Sequence, residues 1–291
     1  MAMILDLFPK KNELKSLELT DVMFKNSFGI HEEITATTAI RALLEPCHSL
    51  EKLYFGGFWK SFKLHHLEFL DFPKWIVQNC QTLMVLNLLN HDVGSYFENH
   101  PGSVQLIIDN CTELKELALP HLKSVDFGFV CKKLTPKIRK LMIGTRSDSR
   151  LEDDKNIEIL TKRCHGLIVF SLGLPNTSFP ASFAIIVKNL ALSLEKLKFS
   201  RWPINQEDMV EMLELRSMSK LELLCLNACF SASREDEEEI KKKIFELNLP
   251  HLKVMFCGVH GSGYITRDVM GIAVQEGKEQ KSKLDLFRDF Q

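Results

Sequence analysis

Residues 111–119 read Cys111-Thr-Glu-Leu114-Lys-Glu-Leu117-Ala-Leu119. An aliphatic residue is followed by two variable residues, a second aliphatic, one variable residue and a third aliphatic. Alternate side chains of an extended chain point to the same side, so Leu117 and Leu119 share one face and Ala118 takes the other. The same triplet recurs on both sides of this stretch. Toward the N-terminus stand Leu83–Leu86–Leu88, Leu50–Leu53–Phe55 and Leu14–Leu17–Leu19. Toward the C-terminus stand Ile138–Leu141–Ile143, Leu167–Phe170–Leu172, Leu194–Leu197–Phe199 and Leu221–Leu224–Leu226, then a degenerate copy, Leu252–Met255–Cys257. Successive copies begin 36, 33, 31, 24, 29, 27, 27 and 31 residues apart. A short strand with one apolar face is satisfied only when neighbours stack on it, and nine copies at a loosely constant interval supply those neighbours.

Stacked strands of this kind run parallel, and parallel neighbours need a crossover of a dozen or more residues. The intervals leave room for one. Residues 32–44, 153–163, 181–190, 206–218 and 235–247 carry apolar side chains at three- and four-residue spacing, which predicts helices. In the last of these, Glu237, Glu238 and Glu239 precede Lys241, Lys242 and Lys243 by four places, an order that supports an exposed helix face by roughly 0.2–0.5 kcal/mol per pair. Pro46, Pro73, Pro101, Pro180 and Pro250 punctuate the connections. The expected fold is an α/β right-handed solenoid, a horseshoe with parallel strands on the concave face and helices on the convex face; its hand follows the bias of strand–crossover–strand units. The expected organisation is an N-terminal cap over residues 1–13, about nine repeats over 14–257 and a C-terminal tail over 258–291.

Cys47, Cys80, Cys111 and Cys164 each precede a triplet by three places, and Cys229 follows Leu226 by three. Over about residues 12–258 this pattern resembles the cysteine-containing leucine-rich repeat of F-box/leucine-rich-repeat proteins. The resemblance implies a protein-interaction module, the substrate-recognition part of a cullin-RING ubiquitin ligase receptor. In that family an N-terminal F-box docks the ligase adaptor. No Leu-Pro-x-Glu type opening precedes residue 14, so adaptor docking is expected only of a longer form carrying an F-box. The alternative is a repeat scaffold or regulatory binder unconnected to ubiquitin.

Composition narrows the function classes. Lys plus Arg number 37 against 38 for Asp plus Glu, so no broad basic field draws the chain to nucleic acid or an anionic membrane. The opening apolar stretch is broken at Asp6 and stopped at Pro9-Lys10-Lys11, unlike a secretory signal. No uninterrupted apolar run is long enough to span a bilayer. The eight cysteines are scattered without a CxxC pair, as expected of reduced thiols in the cytoplasm or nucleus. No phosphate-binding loop or nucleophile signature is legible, so no enzymatic activity and no cofactor are expected. His260-Gly-Ser-Gly263 reads as a linker; Cys257 and His260 are half of a zinc site without a second half; His48, His65 and His66 read as surface residues.

The variable strand positions are therefore the candidate contacts for a protein partner. They include Tyr54, Asn87, Met142, Ser171, Lys196, Lys198, Leu223 and Phe256, joined by the loop residues Trp59 (in Phe55-Gly-Gly-Phe-Trp59), Arg201 and Trp202. Leu223, Cys225, Val254 and Phe256 would form an apolar strip that needs a cover, either a cap or a partner. Gly258, Gly261 and Gly263 allow the chain to reverse, so the tail is expected to return as an arm across the concave surface. A monomer is expected.

Overall fold

A computed structural model describes residues 14–20, 47–56, 72–89, 97, 100–145, 153–173, 179–200, 215–227, 242, 246, 249, 251–258, 261–268 and 271–275. The chain divides into two compact units, Met1–Ile138 and Arg139–Gln291. The first contains β1 (Ser16–Thr20), β2 (Lys52–Gly56), α1 (Phe72–Gln78), β3 (Val85–Asn87), α2 (Ser103–Asn110), β4 (Glu116–Leu122) and α3 (Ser124–Lys133). The second contains β5 (Lys140–Thr145), α4 (Asp153–Arg163), β6 (Val169–Gly173), α5 (Phe179–Leu190), β7 (Lys196–Ser200), β8 (Leu223–Asn227), β9 (Lys253–Gly258), β10 (Gly261–Asp268) and β11 (Gly271–Gln275). It is an α/β arrangement in which β1–β4 and β5–β9 run parallel within their units.

One backbone device repeats from copy to copy. A single carbonyl just before a strand accepts two successive amides from the next copy: Lys15 O takes Glu51 N at 2.8 Å and Lys52 N at 3.0 Å. Glu51 O does the same for Met84 and Val85, and Met84 O for Lys115 and Glu116. In the second unit Arg139 O, Ile168 O and Glu195 O each accept two amides in the same way. The device holds the strands in phase, so the apolar triplets align in rows. Leu17, Leu53, Leu86 and Leu117 share one register position in the first unit. In the second, Leu141, Phe170, Leu197 and Leu224 share one and Ile143, Leu172, Phe199 and Leu226 the next. These rows are buried. The helices cover them: α3 lies against β4, and Phe183 of α5 meets Phe199 of β7 edge-on with ring centroids 6.0 Å apart.

Polar links tie neighbouring repeats inside this apolar layer. The buried Asn79 side chain accepts a hydrogen bond from Leu50 N at 3.0 Å and donates to Trp75 O, while the Thr82 hydroxyl donates to Leu50 O at 2.8 Å. Both backbone groups of Leu50 thus find partners one repeat away, as a buried peptide group requires. Between α4 and α5, Asn189 donates to the Thr161 hydroxyl at 2.8 Å and Ser182 donates to Asp154. Gly102 precedes α2 at φ +89°, a left-handed conformation that a side chain would strain.

Two expectations are corrected. The ninth triplet is out of phase by one residue: Leu224 pairs with Val254 and Leu226 with Phe256, so Val254 and Phe256 fall in the inward rows and Met255 stands beside Cys225. The reason is local. Glu222 O accepts only Lys253 N among the amides leading into β9, so the chain joins the sheet one step sooner after Leu252 than in the other copies. A one-residue slip exchanges the faces of a whole strand. The tail, in turn, does not cross the sheet surface over residues 261–275. Two residues separate β9 from β10, which suffices only for an antiparallel hairpin. β10 pairs with β9, and β11 with β10, giving partners to the edge groups of β9. Leu284 and Phe287 lie outside the described residues.

The helix expected at 153–163 spans Asp153–Arg163, and the one expected at 181–190 begins two residues earlier, with Pro180 in its first turn. The stretch 32–44 and most of 206–218 and 235–247 lie outside the described residues. Among the described residues no helix is long and apolar enough to cross a membrane.

Asn79 and Asn110 both stand immediately before a cysteine of the repeat frame, yet the Asn110 side chain is exposed and donates to Leu106 O of its own helix. Asn79→Ala should therefore lower unfolding free energy by about 2 kcal/mol, since it strands Leu50 N in the core. Asn110→Ala should cost less than about 0.5 kcal/mol. Chemical denaturation of the two variants checks this, and equal losses would contradict the link.

Candidate functional site

The strand residues between the inward rows form the opposite face, and its chemistry differs in the two units. In the first, Glu18, Tyr54, Asn87 and Ala118 occupy one register row, with Lys52, Val85 and Glu116 in the row before it. Tyr54 and Asn87 are thus direct neighbours, both half-buried. The Asn87 side chain accepts a hydrogen bond from Leu89 N at 3.1 Å, which fixes its amide at the end of β3. Burial, then the carboxylates of Glu116 and Glu18, push the Tyr54 phenol above its ordinary value of 10.0. The phenol therefore stays protonated and can donate a hydrogen bond to a ligand, in a setting that disfavours added negative charge.

In the second unit the rows are Lys140–Val169–Lys196–Leu223–Lys253 and Met142–Ser171–Lys198–Cys225–Met255. Val169, Leu223, Cys225 and Met255 form an apolar cluster on this face, with Ile168 packed against it. Met142, Ser171, Lys198, Cys225 and Met255 are all buried, and Lys198 is only 4% exposed. A buried ammonium group is tolerated only with a partner, and Lys198 is engaged within the chain. Lys140 and Lys196 are half-buried and Lys253 is exposed, so the first row is the accessible one.

Of the residues singled out by sequence, Tyr54 and Asn87 come together in the first unit; Met142, Ser171, Lys196, Lys198 and Leu223 come together in the second. Phe256 does not join them: its register position lies beside Leu226 in an inward row. Trp59, Arg201 and Trp202 lie outside the described residues. Lys253 and Met255 take the outward places that the triplet reading assigned to Val254 and Phe256. The pointer to them was the weak ninth copy itself, whose Leu252–Met255–Cys257 has only one aliphatic residue in three.

The cysteines of the repeat frame are not on this face. Cys47, Cys111 and Cys164 are buried, and desolvation pushes the Cys111 thiol up to about 12 and the Cys164 thiol to about 11, although Arg163 and Arg139 pull the latter down. Such thiols stay protonated and pack as small apolar groups. Among the described residues no three His, Cys, Asp or Glu side chains converge to hold a metal ion. No protein-family model matches the chain, and no curated protein is significantly similar to it.

The first unit's face is open to a direct check. Tyr54 should titrate above the ordinary tyrosine range in an NMR titration of ring-labelled protein, with Tyr54→Phe assigning the signal. Glu116→Gln should bring the value down toward 10, whereas Glu51→Gln, on a residue paired with Lys15, should leave it in place. A Tyr54 signal indifferent to Glu116→Gln would mean that the two do not share a face.

Proposed function

We propose that the chain is a leucine-rich-repeat recognition module that holds a protein partner on the strand face opposite its helices, as the substrate-recognition part of an F-box type cullin-RING ubiquitin ligase receptor. One observation carries the binding half of this reading. The two faces of the same strands follow different rules. Inward positions are apolar in strand after strand, while outward positions change from Glu18, Tyr54 and Asn87 to Lys140, Met142, Val169, Ser171 and Lys196. In a repeat array each unit is stabilised by its neighbours through the inward rows. The outward positions that stay half-buried or exposed, such as Glu18, Tyr54, Asn87, Lys140 and Lys196, are less bound to that task, and their variety suits a surface that discriminates one partner.

In this reading the crossovers are right-handed and the strands line a concave wall. A helix is about 10 Å across and strands are spaced by about 4.8 Å, so the helical side of a stack is the wider one. The ubiquitin half rests on the resemblance of the cysteine-containing repeat, where Cys47, Cys80, Cys111 and Cys164 lead their triplets.

Quantitative capture of partners by the wild-type chain and by variants tests both halves. The double variant Tyr54→Ala/Asn87→Arg or the single variant Lys196→Asp should lose specific partners by about tenfold, and Lys155→Glu on α4 should keep them. Partners of a ligase receptor should accumulate in cells when cullin activation is blocked. Capture indifferent to both outward variants would overturn the binding half; captured partners whose levels ignore the block would leave a scaffold or regulatory binder.

A further inference from the structure

We infer that the accessible row of the second unit takes an acidic polypeptide segment laid across the starts of β5–β9. This names the partner class for the face proposed above and rests on that proposal. The fifteen outward positions of β5–β9, counted in three register rows, hold four lysines and no acid: Lys140, Lys196, Lys198 and Lys253 stand among Met, Gly, Val, Ser, Leu, Asn and Cys. The positions leading into the strands add Arg139 and the acids Glu195 and Glu222, so the local balance stays positive. The whole chain carries a net charge of −1, so this excess is a local property of the face. Each lysine has an interaction within the chain, and a ligand would share or compete for it.

The row has a period. Lys140, Lys196 and Lys253 lie on alternate strands, roughly 9–10 Å apart across the sheet. Val169 and Leu223 sit between them, buried down against the sheet. A polypeptide in the polyproline II conformation advances about 3.1 Å per residue with about three residues per turn, so carboxylates at every third residue would share one side and fall on successive lysines. Val169 and Leu223, 4% and 7% exposed, leave the strip between the lysines apolar and without charge, which favours a ligand with apolar groups over a sugar–phosphate chain. Lysine ammonium groups act as compact point charges, so Asp and Glu are both accepted.

Fluorescence anisotropy with the full chain tests the inference. The probes are a labelled peptide repeating Glu-Leu-Ser four times, its Gln-Leu-Ser counterpart and an oligothymidylate of equal charge. The acidic peptide should bind about tenfold more tightly than the neutral one and weaken as salt rises. The triple variant Lys140→Gln/Lys196→Gln/Lys253→Gln should lose that advantage, and Lys155→Gln/Lys188→Gln on α4 and α5 should keep it. Lys196→Glu alone, at a half-buried position, should also weaken the acidic peptide and serves if the triple variant fails to fold. The inference falls if these face variants bind the acidic peptide as the wild type does, or if oligothymidylate binds as tightly and is lost with the same lysines. If the acidic peptide does not bind while Lys196→Asp still abolishes partner capture, the acidic class is wrong and the face proposal survives. If both readouts are indifferent, both fall.

Discussion

Everything in this molecule depends on strands being held in phase. The single carbonyl that accepts two amides at Lys15, Glu51 and Met84, and again at Arg139, Ile168 and Glu195, sets that phase by backbone geometry alone. The side chains then profit from it: because the strands up to β8 join their neighbours at the same step, apolar residue meets apolar residue along the inward rows, as at Leu53 and Leu86 or Phe170 and Leu197. Where one of the two amide bonds is missing, at Glu222, the ninth strand slips by one and its faces exchange. The slip brings Met255 to Cys225, and so completes the apolar cluster of the outward face with a residue that the triplet pattern had placed inside.

The separation of faces has an energetic consequence. Burying leucine and phenylalanine contributes about 1.5–3 kcal/mol per side chain, and within the strands the inward rows carry most of these residues. The outward residues that stay half-buried or exposed, Glu18, Tyr54, Asn87, Lys140, Lys196 and Lys253 among them, differ in charge and shape at little expense to the fold. In the first unit they gather a protonated phenol between carboxylates; in the second they gather ammonium groups over an apolar floor.

The parallel strands and their inward rows were legible in the sequence because the spacing of two aliphatic residues maps directly onto a strand face, as at Leu117 and Leu119. Tyr54, Asn87, Met142, Ser171 and Lys196 were legible as outward residues for the same reason. The helices at 72–78, 103–110 and 124–133 were not, since their apolar residues share the stretch with Pro73, with a short span, or with Gly128 and β-branched Val125 and Val130. The cross-repeat link from Asn79 to Leu50 N was also hidden, because Asn110 occupies the same frame position and makes no such bond. The hairpin at β10 needed knowledge of the unpaired edge of β9, which is a tertiary property. Phe256 was misplaced because one skipped step reverses a strand and leaves no mark in composition.

The division of labour between the faces is the central claim, and adjacent residues on β4 test it most directly. Leu117 is 2% exposed in an inward row, and Glu116 beside it faces outward. Guanidinium denaturation of Leu117→Asp should reveal a loss of about 3 kcal/mol or more, because a charge enters the stacked core. Glu116→Ala should cost less than about 0.5 kcal/mol. Equal shifts of the denaturation midpoint in the two variants would contradict the assignment of the faces.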